Sequence, residues 1–132
     1  MTQHAEGTFT VGAWDENTYA ELDGKGKLTR ATVTFDFSGD VTAQGTWDAV
    51  MCYREDGTAV FTGIQRMVGQ VGDRTGTFVA QADGVYEDGE ARTSWTVIGG
   101  SGTGELAGLS GTGSSVSDSP PGGSFTFDYS IG

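Results

Sequence analysis

Cysteine, histidine and proline are almost missing from this sequence. Its 132 residues include one cysteine, Cys52, one histidine, His4, and two prolines. A lone cysteine excludes an internal disulfide, and one cysteine with one histidine does not make a zinc ligand set. We therefore expect a protein of a reducing compartment that uses no metal and no cofactor.

Basic residues are also few. Seven Lys and Arg stand against 18 Asp and Glu, which gives a net charge of −11. Such a surface repels phosphate backbones and anionic lipid headgroups, so neither nucleic acid nor a membrane is an expected partner. No apolar run approaches the roughly 20 residues that span a bilayer, and the polar start MTQHAEGTF lacks signal-peptide character. The sequence predicts a cytoplasmic protein with one domain over residues 1–132.

Helical periodicity is also absent, and alternation of apolar with polar residues replaces it. The alternating runs are rich in Thr, Val, Phe, Tyr and Trp, as strands are. They predict about eight strands: Gly7 to Trp14, Leu28 to Phe37, Val41 to Arg54, Thr58 to Val71, Arg74 to Tyr86, Glu90 to Ile98, Gly104 to Gly113 and Ser124 to Ile131. The stretch 117–123, with both prolines, is predicted to be a loop.

Three dipeptides separate neighbouring strands: Asp56-Gly57, Gly72-Asp73 and Asp88-Gly89. Each is typical of a two-residue hairpin turn, so consecutive strands should pair as a meander. Long strands rich in glycine can coil, and closure removes exposed edges. We predict an all-β fold, an up-and-down antiparallel barrel of about eight strands. A β-sandwich is the alternative.

Counting outward from the three turns predicts which side chains face the interior. Met67 then lies opposite Phe78, Gln65 opposite Ala80, Gly63 opposite Ala82, Cys52 opposite Phe61, and Trp95 opposite Ala82. This register predicts a hollow, mainly apolar lumen because the small residues leave room for a small hydrophobic molecule. The predicted ligand-binding residues are Val50, Cys52, Phe61, Met67, Phe78, Trp95 and Tyr129.

Asp48 and Gln65 meet in the wall of this predicted lumen and are the candidate catalytic residues. A carboxylate in an apolar lumen has its charged form disfavoured, which suits it to proton transfer. A register shifted by one residue would instead put Asp48 outside and Trp47 inside. A second alternative is a filled core, with the aromatic side chains of the far strands occupying the lumen.

Several segments together resemble a known family. They are Tyr53 to Ala59, Phe61 to Gly69, Gly76 to Val79, and above all the glycine-rich run from Gly100 to Leu109. They are similar to a family of small bacterial proteins of unknown function that is related in fold to the allene oxide cyclase barrel. The resemblance covers nearly the whole chain and implies an eight-stranded barrel with a central cavity.

The same resemblance implies which residue types occupy three positions that matter for acid–base catalysis. Members of the family typically carry Glu at the positions of Asp48 and Gln65, and His at the position of Ala82. This chain keeps one acid and lacks the imidazole, which disfavours acid–base catalysis and leaves a route in which the barrel holds an apolar substrate in a reactive shape.

Three functions are therefore open: a cofactor-free isomerase or cyclase for a hydrophobic metabolite, a non-catalytic carrier of such a molecule, and a structural or interaction protein with a filled core. For the third, Ile64, Val68 and Val79 on the outer face would favour a homo-oligomer.

Overall fold

Nine strands and their connecting turns make up the described part of the chain. The computed structural model of the protein describes residues 2–24, 26–119 and 122–132, and these residues form no helix. The strands are β1 (Gln3–Glu21), β2 (Lys27–Gly39), β3 (Val41–Tyr53), β4 (Ala59–Val71), β5 (Arg74–Glu87), β6 (Glu90–Val97), β7 (Thr103–Gly104), β8 (Leu109–Ser119) and β9 (Gly122–Ile131).

Eight of these strands close into an antiparallel barrel. Going round the wall, the order is β1, β2, β3, β4, β5, β6, β8 and β9, and β9 pairs again with β1. The two-residue strand β7 pairs with the start of β5. The predicted eight-stranded barrel is confirmed. The sandwich alternative is wrong because the described strands form one closed sheet, in which β4 pairs with β5 and β9 pairs with β1.

The first strand is far longer than the predicted Gly7 to Trp14. Its first part, from Gln3 to Thr10, pairs with β9, and its later part continues to Glu21 paired with β2. Register shifts after Val11 and after Thr18 bend it. The polar residues 15–21 show little hydrophobic alternation, which is why the sequence pattern ended too early.

Two of the three predicted hairpins are confirmed. Val71 pairs with Arg74 across Gly72-Asp73, and Glu87 pairs with Glu90 across Asp88-Gly89. The cross-strand neighbours predicted from these two turns are confirmed, namely Met67 with Phe78, Gln65 with Ala80, Gly63 with Ala82 and Trp95 with Ala82.

The predicted register across Asp56-Gly57 is wrong by one residue. The loop has three residues, because the Arg54 amide donates to the Thr58 carbonyl at 2.8 Å and Gly57 takes a positive φ of 89°. The Asp56 carboxylate accepts hydrogen bonds from the Thr58 amide and hydroxyl. A three-residue loop that ends in a left-handed glycine is a common hairpin connection. Every side chain of β3 consequently faces the opposite way from the prediction.

One end of the barrel is closed by packed side chains. The segment between β7 and β8 folds back in tight turns, with the Leu106 amide donating to the Thr103 carbonyl at 3.0 Å. Leu106 and Leu109 are thereby fully buried at the bottom of the core. Fourteen buried residues form this lower cluster, with Met67, Phe78, Phe125, Phe127 and Tyr129 among them. Of the predicted loop 117–123, residues 117–119 belong to β8 and residues 122–123 to β9, so the loop prediction is wrong for them. Residues 120–121 lie outside the described part.

Candidate functional site

A cavity of about 290 Å³ occupies the other end of the barrel. We call this end the mouth; it carries the β1–β2, β3–β4, β5–β6 and β8–β9 connections. Trp14 and Tyr86 line the cavity and are 51% and 44% exposed, so the cavity reaches the surface there. Its lining residues are Phe9, Val11, Trp14, Phe35, Phe37, Trp47, Met51, Tyr53, Ala59, Phe61, Gln65, Tyr86, Ala91, Thr93, Trp95, Ser115 and Ser117.

Aromatic rings make most of the cavity wall, and all three tryptophans of the chain take part. Trp47 and Phe61 meet edge to face with ring centroids 5.2 Å apart, and the Trp47 indole nitrogen donates to the Ala82 carbonyl at 3.3 Å. The Trp95 ring lies directly over Gly113, where a Cβ atom would collide with the indole. Inward glycines thus provide the room in which the rings lie.

Gln65 is the polar group at the floor of the cavity. It projects from the middle of β4, and its amide nitrogen donates to the Met67 sulfur at 3.2 Å. Thioether sulfur is a weak acceptor, so this contact satisfies little of the hydrogen-bonding capacity of the amide. Gln65 is therefore suited to orient a polar group of a bound molecule.

A carboxylate holds two aromatic residues of the mouth. Glu16 accepts hydrogen bonds from the Tyr53 hydroxyl at 2.6 Å, the Thr29 hydroxyl at 2.6 Å and the Trp14 indole nitrogen at 2.9 Å. Tyr53 and Trp14 both line the cavity, whereas Glu16 lies at their polar edges and does not line it. Glu16 fixes the orientation of both rings.

The local environment shifts the pKa values of Glu16 and Tyr53 in opposite directions. Partial burial alone would raise the pKa of Glu16, but hydrogen bonds from Thr29, Tyr53 and Trp14, helped by the charge of Lys27, together lower it. Burial first, and then the hydrogen bond to Glu16 and its charge, raise the pKa of Tyr53 well above its usual value. At neutral pH the cluster therefore holds an ionised carboxylate and a protonated phenol.

The structure brings only some of the predicted site residues to the cavity. Phe61, Gln65 and Trp95 line it. Met67, Phe78 and Tyr129 also face inward but pack into the lower cluster beneath it. These three belong to the floor of the barrel, because the aromatic residues of the far strands fill its lower half.

Asp48, Val50 and Cys52 were predicted to face the lumen, and this is wrong. All three lie on the outer face, because the three-residue loop shifts β3 by one position. Asp48 accepts a hydrogen bond from the Thr32 hydroxyl at 2.9 Å. Asp48 and Val50 border an open outer hollow of about 500 Å³, and Cys52 is a half-buried free thiol. Asp48 is thus separated from the lumen by the barrel wall, while Trp47 and Met51 take the inner positions.

Sequence reasoning missed Glu16, Tyr53 and Trp14 as site residues. Trp14 was placed at the end of a predicted strand, and Glu16 lies in the polar stretch that showed no alternation. Tyr53 was assigned to the wrong face together with the rest of β3. The spacing of Trp14 and Glu16 by two residues was an available signal, since such residues share a face once the strand is extended past Trp14.

Two further features of the described residues concern groups of metal ligands and membrane-crossing helices. In residues 2–24, 26–119 and 122–132, no three His, Cys, Asp or Glu side chains are grouped so as to hold a metal ion. The same residues include no long apolar helix of the kind that crosses a membrane. Ile64 and Val68 are exposed on the outer face, and the homo-oligomer inferred from them stays a prediction.

A family model described as a protein of unknown function, DUF3224, matches residues 5–129. The chain belongs to the DUF3224 family. It is similar to the crystal structure of a DUF3224 protein of unknown function from Shewanella oneidensis MR-1. The identity is 28%, the TM-score is 0.84, and the similarity covers 100% of this chain and 99% of the other. No functionally curated protein matches.

These findings confirm the resemblance to a family of unknown function and leave its relation to allene oxide cyclase a prediction. The described register also revises one expectation drawn from that resemblance. Of the three positions at which the resemblance implies Glu, Glu and His, Gln65 and Ala82 face inward, whereas Asp48 faces outward. The three positions are therefore not neighbours on one inner wall in this DUF3224 protein.

Proposed function

We propose that this DUF3224 barrel binds one small, mainly apolar molecule in its lumen. The observation that carries the proposal is the aromatic cavity of about 290 Å³ with the Gln65 amide at its floor. Ligand sites are typically hollows of roughly 300 Å³ and upward, with apolar walls and a few polar groups that fix orientation. The cavity is at the small end of that range, which fits a molecule of one or two rings.

A filled-core structural protein is less well supported. The far-strand aromatic residues Phe125, Phe127 and Tyr129 do fill the lower half of the barrel. Toward the mouth, however, the inward positions of β6 and β8 carry small residues, including Ala91, Thr93, Ser115 and Ser117. Small inward residues around a ring of large aromatic ones favour a space for a ligand over a packed core.

A cyclase or isomerase is the second candidate, and the observation that favours it is the enclosing shape of the aromatic wall. The pKa of Glu16 is lowered and that of Tyr53 is raised, so neither group is tuned for proton transfer near neutral pH. Catalysis in this lumen would depend on holding a flexible substrate in a reactive conformation, which needs no ionisable group.

Fluorescence tests the binding proposal directly. The probe is N-phenyl-1-naphthylamine, a neutral apolar dye whose emission rises in an apolar site. Thr93 lines the cavity, so Thr93→Phe fills part of it, whereas the next residue, Ser94, is exposed on the outer face. We expect saturable binding to the native protein, a loss of about tenfold or more in affinity for Thr93→Phe, and no change for Ser94→Phe.

Equal affinity of Thr93→Phe and the native protein would place the dye outside the lumen and contradict the proposal. No saturable binding to the native protein would contradict it as well. Thermal unfolding of both variants establishes that each is folded before the titrations are compared.

A further inference from the structure

Two aromatic residues at the mouth share one anionic hydrogen-bond acceptor. The Trp14 indole nitrogen and the Tyr53 hydroxyl both donate to Glu16, at 2.9 Å and 2.6 Å. Their polar hydrogens are therefore turned toward Glu16, and both residues line the cavity. The mouth thus presents electron-rich faces to a ligand and keeps the indole and phenol donors occupied.

The charge of Glu16 strengthens these faces electrostatically. An aromatic ring carries partial negative charge on its face, and hydrogen bonding to a carboxylate polarises the ring further in the same direction. The carboxylate also lies at the polar edge of each ring, partly withdrawn from water. Both effects favour a positive charge in front of Trp14 and Tyr53.

The chain already places a cation over one of these rings. Lys27 Nζ stands 5.2 Å from the centroid of the Tyr53 ring. This distance is within the range of cation–π attraction. A positive group is therefore stable over the Tyr53 ring, and a ligand ammonium bound there would take the place of Lys27 beside Glu16.

The connections at the mouth carry a negative excess. By sequence, residues 21–27, 53–59, 86–92 and 117–123 contain eight acidic residues against Lys25, Lys27, Arg54 and Arg92, and Arg92 is paired with Glu87 and Glu90. Together with the net charge of −11, this excess attracts cations and repels anions on approach.

We propose that the molecule bound in the lumen is an organic cation: an aromatic or aliphatic body that enters the cavity, with a substituted ammonium group held against Trp14 and Tyr53. This inference rests on the proposed function. Aromatic cages are a known means of recognising substituted ammonium groups, and a carboxylate hydrogen-bonded to the cage residues adds to the attraction. Glu16 is a positioning residue in this proposal, since it acts through the two rings.

A pair of ligands with the same shape separates charge from hydrophobicity. Phenyltrimethylammonium and tert-butylbenzene are nearly isosteric, and only the first carries a positive charge. Binding is followed by the fluorescence of the three tryptophans, all of which line the cavity. We expect the native protein to bind phenyltrimethylammonium about tenfold more tightly than tert-butylbenzene.

Variants show whether Glu16 is the source of this preference. Glu16→Gln should reduce the ratio of the two affinities to about two or less, while leaving tert-butylbenzene binding unchanged. Tyr53→Phe keeps the ring, removes its hydrogen bond to Glu16, and should reduce the ratio by a smaller amount. Glu55→Gln makes the same change of net charge on the exposed β3–β4 loop and should leave the ratio nearly unchanged, because solvent and salt screen its charge.

The outcomes separate this inference from the proposed function. If tert-butylbenzene binds as tightly as phenyltrimethylammonium, the inference is wrong and the apolar lumen site stands. If neither ligand binds and the naphthylamine dye also fails, the proposed function is wrong. An equal loss of preference in Glu16→Gln and Glu55→Gln would assign the effect to general charge and overturn the role of Glu16.

Discussion

Three hydrogen-bond donors offset the cost of partly burying the charged carboxylate of Glu16. Hydroxyls of Thr29 and Tyr53 and the indole of Trp14 all donate to it, and these donors come from the first three strands of the barrel. Hydrogen bonds to an ionised acceptor are stronger than those between neutral groups. One side chain therefore ties together three neighbouring strands at the end of the barrel where the lumen is not filled.

Glu16→Gln should destabilise the protein in a pH-dependent way. The folded pKa of Glu16 lies below its ordinary value of 4.5, so the stabilisation is present above that pH and is lost as pH falls through the folded pKa. We expect the variant to lose about 1–3 kcal/mol of unfolding free energy at neutral pH. Urea unfolding should show the native and variant curves converging in acid. A difference that persists unchanged in acid would contradict the assignment.

At the scale of strands, the alternation within β3 was a better guide to its faces than the turn that follows it. Ala43, Trp47 and Met51 are buried, and the polar residues between them are exposed. The pattern of β3 alone thus predicts Trp47 inside and Asp48 outside. The dipeptide Asp56-Gly57 fits both a two-residue and a three-residue loop, so counting outward from it carried an error of one residue through the strand.

Other elements were predictable for clear physical reasons. The turns at Gly72-Asp73 and Asp88-Gly89 connect runs of regular alternation, so turn and pattern agree and the register follows. The cluster around Glu16 was beyond prediction from local pattern, because it depends on a bulge after Val11 and on contacts among three strands. Local pattern determines strands and faces, whereas such a cluster depends on tertiary geometry.

The close contact between Gly113 and the Trp95 ring leads to a prediction about two paired strands. Gly113 of β8 pairs with Trp95 of β6, and a Cβ atom at Gly113 would overlap the indole ring. Gly113→Ala should displace the ring and cost about 1–3 kcal/mol of stability, as overpacking does. Chemical unfolding measures the cost, and tryptophan emission reports the displacement.

The neighbouring residue Ser114 provides the control for this variant. Ser114 is exposed on the outer face of β8, so Ser114→Ala should change the stability by less than about 0.5 kcal/mol. Equal effects of the two substitutions would mean that the Trp95 ring is not held by Gly113.

At the scale of the whole molecule, the barrel is closed by pairing its first strand with its last. His4 of β1 contacts the Asp128 carboxylate of β9 at 2.7 Å and Glu6 at 3.2 Å. The hydrogen bonds to Asp128 and then to Glu6 raise the pKa of His4 above 6.5. The only histidine of the chain therefore lies on the seam that closes the barrel.

The stability of this seam should depend on pH in the opposite sense to that of Glu16. Because the folded pKa of His4 is raised, its contribution is complete below pH 6.5 and is lost as pH rises through the folded pKa. Native protein should therefore exceed His4→Gln in urea midpoint at about pH 5.5, and the difference should shrink at about pH 9. A midpoint difference that grows with pH would contradict this assignment.

The barrel has a filled half and a hollow half, and most of the long strands contribute to both. In β4, Met67 and Val71 belong to the lower cluster, whereas Phe61 and Gln65 line the cavity. Substitutions near the mouth can therefore accumulate during evolution without eroding the packing that maintains the fold. DUF3224 proteins can thus share one architecture and differ at the mouth, so under the proposed function a ligand found for one member would not by itself identify the ligand of another.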